Sequence, residues 1–272
     1  MVKISPQRYK KSFRIFAPAM KITLLGTGTS QGVPVVGCDC ATCQSQDPRD
    51  KRLRTSAYVE AGDVRLLIDA GPDLRQQLLR QHITRVDAIL MTHEHKDHLG
   101  GLDDIRPIYF RQETPMPVYG LQRVLKVIRK DYDYAFKPNP YPGAPGFQLF
   151  PVRDDPFTIG GVEVVPIHVR HLTLPILGYR IGKLAYITDA SFIAESELKK
   201  LEGLEVLVVN ALRIKEHYSH FNLEQALAVV QRLQPRRALL THVSDKMGPY
   251  AEVQPMLPDN VTLGYDGLTV EC

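Results

Sequence analysis

The sequence predicts a mixed α/β fold in which short strands alternate with helices. Of the 272 residues, 44% are hydrophobic and 24% are charged, an ordinary globular composition that excludes a disordered, collagen-like or coiled-coil chain. Short segments of alternating apolar residues are separated by polar or glycine-containing turns and by helix-like segments. No segment has the roughly 18 consecutive apolar residues of a membrane-spanning helix, so we expect a soluble protein that does not bind membranes.

Apolar alternation defines the predicted strands, and helical spacing defines the helices between them. In the first half we predict strands at 21–25, 57–60, 64–69 and 86–92, and helices at 73–82 and 121–129. In the second half we predict strands at 157–169, 177–181, 185–188, 206–209, 237–241 and near 261–270, and helices at 191–201 and 223–234. This order is consistent with two similar halves that face each other.

Residues 131–147 separate the two halves and contain four prolines and five aromatic side chains. Proline lacks a backbone N–H and interrupts both helices and sheets. We therefore expect an irregular loop here, acting as a lid.

The basic residues are concentrated at the start of the chain. The net charge is +4, and residues 1–19 carry five basic and no acidic residues, so subtracting these five leaves −1 for residues 20–272. This segment lacks the apolar centre of a secretion signal, and we expect a disordered tail or a start assigned too far upstream, followed by a single domain over 20–272. The net charge of about −1 on residues 20–272 argues against a nucleic-acid partner.

Three of the four cysteines, Cys38, Cys40 and Cys43, lie within six residues, and Cys272 ends the chain. This distribution does not resemble a disulfide framework and favours a reducing cytoplasmic location. The Cys-x-Cys-x-x-Cys spacing suits a thiolate metal site.

Metal-binding side chains also follow the predicted strand at 86–92. The segment Thr92-His-Glu-His-Lys-Asp-His98 places His93 and His95 on one side of an extended chain. A turn after them would bring Asp97 and His98 to the same strand end. Four side chains that can bind a metal thus converge within six residues.

The motif His-x-His-x-Asp-His after a strand resembles the signature of the metallo-β-lactamase superfamily. Residues 21–34, 67–73, 171–180, 186–189 and 240–242 are similar to the branch of that superfamily that contains the cyclic-phosphate phosphodiesterase PhnP. The resemblance extends from about Met20 to the end of the chain. It implies a four-layer αββα sandwich that carries one or two metal ions.

The resemblance also implies a ligand set for two divalent ions, zinc or manganese. One ion would be held by His93, His95 and His171, the second by Asp97, His98 and His242, and Asp189 would bridge them. Such a pair activates a bridging hydroxide and stabilises charge on a phosphoryl group. Asp69 would hold a ligand histidine in place.

His168 competes with His171 for the same role, because spacing alone does not separate two histidines three residues apart. The resemblance of residues 171–180 to the family favours His171.

In the PhnP-like branch, three cysteines and a histidine bind a third, structural zinc ion. Cys38, Cys40 and Cys43 match the thiolates, whereas Asp245 stands where the branch has histidine. A carboxylate also ligates zinc. We therefore expect a structural zinc site completed by Asp245, with weaker binding than the family's.

His220 precedes the predicted helix at 223–234, a placement that resembles a histidine of the phosphodiesterase and tRNA-nuclease branches. An imidazolium there would protonate the leaving alkoxide when phosphorus is attacked. His217 is the rival donor.

These features predict a metal-dependent hydrolase, a phosphodiesterase of small and cyclic phosphodiesters, with His220, Asp97 and Asp189 as catalytic residues. The partner is a small molecule, and the family implies a homodimer. Two alternatives are a tRNA 3′-processing endonuclease and a non-catalytic carrier similar to the PQQ-synthesis protein PqqB. The near-neutral body opposes the first, and the intact ligand set opposes the second.

Overall fold

Two β-sheets of seven and eight strands form the centre of the protein. The computed structural model describes residues 20–272, so the predicted tail, residues 1–19, lies outside the described residues. The first sheet contains β1 Met20–Gly26, β2 Ser56–Ala61, β3 Val64–Ile68, β4 Ala88–Leu90, β5 Met116–Gly120, β6 Phe147–Pro151 and β15 Thr269–Glu271, in the order β15-β1-β2-β3-β4-β5-β6. The second contains β7 Phe157–Ile159, β8 Val162–His171, β9 Leu174–Ile181, β10 Leu184–Ile187, β11 Phe192–Ile193, β12 Val206–Asn210, β13 Arg237–Thr241 and β14 Val261–Leu263, in the order β11-β8-β9-β10-β12-β13-β14, with β7 paired to β8.

The described chain contains eight α-helices, and the apolar residues of most of them cover the outer faces of the two sheets. The helices are α1 Ala41–Gln44, α2 Leu74–Arg80, α3 Lys96–Leu99, α4 Arg106–Gln112, α5 Gln122–Asp131, α6 Glu195–Lys200, α7 Leu223–Leu233 and α8 Tyr250–Val253. Short 3₁₀ helices span Pro48–Asp50, Leu102–Ile105, Asp133–Phe136, Asp245–Met247 and Gln254–Met256. In the part of the chain from residue 20 onward, no helix has the length and apolarity needed to cross a membrane.

Side-chain alternation along the central strands explains the layers. In β3, Leu66 belongs to the core between the sheets, whereas Leu67 packs with the residues of α2. In β12, Val208 faces the other sheet and Leu207 packs on the α7 side. Both faces of each sheet are therefore apolar and covered, which confirms the αββα sandwich.

The centre of each sheet is parallel, with β3, β4 and β5 in one sheet and β10, β12 and β13 in the other. Parallel neighbours bring their carboxyl ends to the same edge, where α/β folds usually bind ligands. Several predicted metal ligands follow the ends of these strands.

Some element predictions were wrong in detail. The strand predicted at 157–169 is a hairpin, because Gly160 and Gly161 adopt φ of +55° and +85° and turn the chain between β7 and β8. The first part of the helix predicted at 191–201 is instead the strand β11, and the helix α6 follows it. The strand predicted near 261–270 is two strands, β14 and β15, which belong to different sheets. The patterns did not predict α4, β5 or β6, of which α4 begins with a proline in its first turn.

The proline-rich segment 131–147 packs on the outer helical layer. Its rings pair with one another, Tyr134 with Tyr141 and Phe136 with Phe147, and the Arg129 guanidinium of α5 lies 4.6 Å from the Phe136 ring. None of its residues lines the cavity over the candidate metal centre. The segment is therefore a packed surface loop, and the expectation of a lid is not met.

Candidate metal centre

Three of the predicted site residues follow strand ends in an unusual backbone conformation. Asp69 after β3, Asp189 after β10 and His242 after β13 have φ of 61°, 58° and 55°. The left-handed region is uncommon for residues other than glycine. Such conformations occur where the surrounding structure enforces them, often at functional sites.

Hydrogen bonds from a neighbouring strand hold the turn at Asp189. The Asn210 side chain, at the end of β12, accepts from the Ala190 N–H (2.8 Å) and donates to the Ala190 carbonyl (3.0 Å). Because β10 and β12 are paired in parallel register, this clamp fixes the Asp189 backbone relative to the sheet.

The Asp189 carboxylate lies at the centre of the site. Its Oδ1 is 3.2 Å from His242 Nδ1 and 3.4 Å from His98 Nε2, and its Oδ2 is 3.3 Å from His220 Nε2 and 3.9 Å from His93 Nε2. Four imidazoles, from three separate segments of the chain, therefore face one carboxylate.

His95 and His171 complete this group of rings. The His95 ring centroid lies 4.6 Å from that of His93 and 5.2 Å from that of His171. His171 Nδ1 donates to the Ser219 carbonyl over 2.8 Å, which leaves its Nε2 for a ligand. His168 instead has its Nε2 3.1 Å from Asp154, outside the site.

Two sets of side chains offer ligand atoms within 4.8 Å of one another. One set contains Asp97, His98, Asp189 and His242; the other contains His171, Asp189 and His220. The first set matches the predicted second ion. The other set contains His220 in place of His93 and His95, which the sequence analysis assigned to this ion. His220, predicted as a proton donor, therefore also lies at ligand distance.

Asp69 is fully buried beneath the site and accepts three hydrogen bonds. The donors are His98 Nδ1 at 2.7 Å and the backbone N–H and hydroxyl of Thr92, each at 2.8 Å. Thr92 Oγ1 also lies 2.9 Å from His93 Nδ1. Asp69 and Thr92 thus engage the Nδ1 atoms of His98 and His93 and leave both Nε2 atoms directed at Asp189.

The charges of the site are strongly coupled. Burial opposes ionisation of Asp189, but His242 and His98 outweigh it and hold the Asp189 pKa well below its usual range. Burial also lowers the pKa of His98, but Asp189 and Asp69 reverse that effect and raise it well above its usual value. Burial lowers the pKa of His242 to about 4 and that of His93 well below its ordinary value. The carboxylates therefore require compensating positive charge.

Three buried imidazole nitrogens, on His93 Nε2, His98 Nε2 and His242 Nδ1, have no hydrogen-bond partner among the described residues. Buried polar atoms are nearly always paired, so three orphan nitrogens around one carboxylate need an explanation. Neutral imidazole and carboxylate are suitable ligands for divalent transition metals, and a cation would supply both the missing partners and the charge. The residues fit such ions.

A second candidate metal site lies in the loop after β1. The Sγ atoms of Cys38 and Cys40 are 3.9 Å and 3.8 Å from Asp245 Oδ2, and Cys43 completes a group within 4.8 Å. The Cys43 backbone N–H lowers the pKa of the Cys40 thiol, whereas burial raises that of Cys43 to about 12. Three thiols and a carboxylate match a zinc site.

The site opens into a cavity of about 410 Å³. Its lining includes Thr29, Tyr218, Ser219 and Lys246, which the sequence analysis did not select. Thr29 Oγ1 lies 3.3 Å from His242 Nε2. Single hydroxyl or lysine residues in loops have no periodic pattern, so only the fold could identify them.

The family model described as "Beta-lactamase superfamily domain" matches residues 64–243, more than half of the chain. An octanoyltransferase of Porphyromonas gingivalis is 45% identical over 92% of this chain, but the chain spans only 51% of that relative.

A crystal structure described as a new diphosphatase from the PhnP family is 36% identical, with a TM-score of 0.88 and coverage of 94% of this chain and 98% of that chain. Zn²⁺-bound PqqB from Methylobacterium extorquens, at 20% identity and a TM-score of 0.73, covers 92% of this chain and 99% of its own and shares the fold. The chain therefore belongs to the metallo-β-lactamase superfamily, with a hydrolase fold similar to that of the PhnP family.

Proposed function

We propose that this protein is a metal-dependent phosphodiesterase that hydrolyses small phosphodiesters, cyclic ones included. The observation that carries the proposal is the convergence of His93, His98, His220 and His242 on Asp189, with three buried nitrogens left without partners. A cluster of this kind, open to a cavity, suits hydrolysis assisted by two metal ions.

We assign these donor side chains to two metal ions. His93, His95 and His171 would hold one, Asp97, His98 and His242 the other, and Asp189 both. When bound, such ions supply a water of lowered pKa as the nucleophile and positive charge opposite the phosphoryl oxygens. Zinc and manganese both suit imidazole and carboxylate ligands.

The protein's own residues orient this centre and move a proton. Asp69 accepts from His98 Nδ1 and keeps Nε2 directed at Asp189. His220 is 11% exposed at the cavity, and its Nε2 lies 3.3 Å from Asp189 Oδ2, a position from which the imidazole can pass a proton to the leaving oxygen of the substrate. Ser219 Oγ, 3.0 Å from His220 Nδ1, fixes the ring.

The relative described as a diphosphatase supports chemistry at phosphorus, since it is similar over nearly the whole chain. Octanoyl transfer receives no such support, because this chain spans about half of the octanoyltransferase. An RNA-processing enzyme would need a basic segment that binds RNA. The one long insertion, 131–147, contains a single basic residue, Lys137, and two acidic residues, Asp131 and Asp133. A non-catalytic carrier would not need the complete donor set. We place the enzyme in the cytoplasm, as a homodimer.

The test is metal reconstitution followed by matched assays. Protein stripped of metal and reloaded with Mn²⁺ or Zn²⁺ should hydrolyse bis-p-nitrophenyl phosphate and 2′,3′-cyclic nucleotides, with little activity on p-nitrophenyl phosphate or p-nitrophenyl acetate. The diester, the monoester and the acetate all release p-nitrophenolate, so differences between their rates reflect the group that is attacked and not the leaving group. Preferential hydrolysis of the acetate, or activity that does not depend on metal, would overturn the proposal.

A further inference from the structure

Part of the cavity lining belongs neither to the assigned metal ligands nor to the proposed proton donor, His220. This part, called the wall below, consists of Leu212, Arg213, His217, Tyr218, Ser244 and Lys246. Its side chains can contact the part of a substrate that does not react, and they can therefore decide which phosphodiester fits.

Lys246 is the cation that this wall offers to a ligand. It is exposed, and within residues 20–272 no carboxylate lies within 4.0 Å of its ammonium group. Arg213, the other basic residue of the wall, donates to the carbonyl oxygens of Lys215 (3.1 Å) and Glu216 (2.6 Å) and so braces its own loop. Lys246 can pair with an anionic oxygen at no cost to an existing contact.

Tyr218 is the aromatic feature of the same wall. At 76% exposure it is the most exposed of the large aromatic side chains in the described chain. One face of its ring lies against His217, with centroids 4.4 Å apart and planes inclined by 29°. The other face is open to a planar ligand, and stacking on exposed aromatic rings is a common way to hold nucleobases.

Hydrogen bonds connect the loop that carries Tyr218, called the platform below, to the candidate metal centre. Ser219 Oγ lies 3.2 Å from His217 Nδ1, and the Ser219 carbonyl accepts from His171 Nδ1. The short stretch from His217 to Ser219 therefore sets the position of the Tyr218 ring relative to a predicted metal ligand.

We propose that Tyr218 and Lys246 select a nucleoside phosphodiester, with the base stacked on Tyr218 and a phosphate oxygen paired with Lys246. This rests on the proposed phosphodiesterase function and narrows its substrate class. The cavity volume of about 410 Å³ suits a mononucleotide-sized ligand.

The Tyr218 arm compares two diesters with the same leaving group and charge, thymidine 5′-(p-nitrophenyl phosphate) and methyl p-nitrophenyl phosphate. The native enzyme should prefer the thymidine ester. Tyr218→Ala should lower this preference in kcat/KM about 10- to 100-fold, mainly through KM, while Tyr218→Phe and Tyr218→Trp retain it. Tyr141→Ala, another half-exposed tyrosine outside the cavity, is the matched control. An unchanged preference in Tyr218→Ala overturns the inference.

The Lys246 arm tests the charge. Lys246→Ala should lower kcat/KM for both diesters about five- to tenfold at low ionic strength, Lys246→Arg should restore it, and high salt should remove the difference. Zinc content measured on each variant separates this role from one in the neighbouring cysteine site, since Asp245 precedes Lys246. If Lys246→Ala loses zinc and Lys246→Arg has an equally low kcat/KM, Lys246 does not act by pairing with the substrate anion. Lys126→Ala is the surface control.

A binding measurement keeps this inference separate from the proposed function. The chain has no tryptophan, so Tyr218→Trp introduces a single fluorescent reporter at the platform. Adenosine 5′-monophosphate should quench it saturably, whereas ribose 5-phosphate should not. If neither diester is hydrolysed, the proposed function fails, and this titration still decides whether residue 218 stacks on a nucleobase: no quenching by the nucleotide rejects that part of the inference.

Discussion

The two candidate metal sites of this protein are built in opposite ways. His93, Asp189 and His242 follow strands at the shared edge of the two sheets and are at most 2% exposed. Cys38 and Cys40 lie half-buried in a loop, where few backbone hydrogen bonds, such as Cys38 N–H to the Val35 carbonyl, fix the chain. In the first site the hydrogen-bonded strands hold the ligands in position. In the second site, the bonds between the ligands and a metal ion would have to hold the loop in position.

This difference predicts which site depends on its ion for order. Strand-end ligands are preorganised by sheet register and need a cation mainly to balance charge. A loop site gains its order from the bound ion, as small structural zinc sites do. The two sites are also linked, because His242 and Asp245 are three residues apart and belong to one each.

The largest expected effect follows from removing a strand-end donor. His93→Ala or Asp189→Ala should reduce phosphodiester hydrolysis to background and lower the bound metal, because each variant loses an assigned metal ligand. Asp189→Asn, which keeps the size but removes the charge, separates charge from packing. Metal analysis and kcat/KM on each variant are the measurements, and two retained ions with near-native turnover would refute the ligand assignment.

His220→Ala should lower kcat by at least about 100-fold for diesters with a poor leaving group, with metal content unchanged. The loss should shrink for p-nitrophenolate, which needs little protonation. Because His220 lies 3.3 Å from Asp189, the metal content is decisive. Loss of an ion would make His220 a ligand, and equal losses for both leaving groups would make it a phosphate-positioning residue. His168→Ala, outside the site, is the control.

Asp69→Ala should weaken metal binding by about 10- to 100-fold, because His98 loses the acceptor that orients it. The Thr92 donors also lose their buried partner, so the melting temperature should fall as well. Asp69→Asn should have a smaller effect on stability, since its amide oxygen still accepts. A competition titration with a metal-binding dye measures the affinity, and an unchanged value would contradict the orienting role.

Cys40→Ala should remove one zinc ion per chain while diester hydrolysis remains measurable. Chelation of the native protein should expose the amides of residues 38–44 to hydrogen exchange before those of β10 and β13. These results would confirm that one site orders a loop and the other sits on a preformed frame. Equal loss of protection in both regions would remove the distinction, as would a freshly reduced protein with no zinc beyond the strand-end site.

The smallest expected effect is a gain in zinc affinity at the cysteine site. Asp245→His should tighten zinc binding at the cysteine site several-fold, because a neutral nitrogen donor reduces the excess negative charge beside three thiolates. Asp39→His, in the same loop but exposed, is the matched control. Zinc competition at fixed pH measures the change, and weaker binding in Asp245→His would show that the carboxylate is the preferred fourth donor.

The sequence by itself determined a mixed α/β chain and most of its strands, because alternation and helical spacing are local properties of the chain. The four-layer arrangement was expected from the resemblance to the superfamily and not from these patterns. The sequence also identified the cluster from His93 to His98, whose members are close in sequence. It missed the turn at Gly160 and Gly161, since two glycines inside an apolar pattern do not say whether a strand bends or ends.

Only the tertiary structure decided which distant side chains meet. Spacing could not separate His168 from His171, whereas strand β8 ends with His171 beside Ser219 and leaves His168 beside Asp154. The tertiary structure also places His220 beside Asp189, which is 31 residues away in the sequence. The physical reason is that local pattern follows from backbone geometry, whereas contacts between distant residues depend on strand register and on the packing of the two sheets.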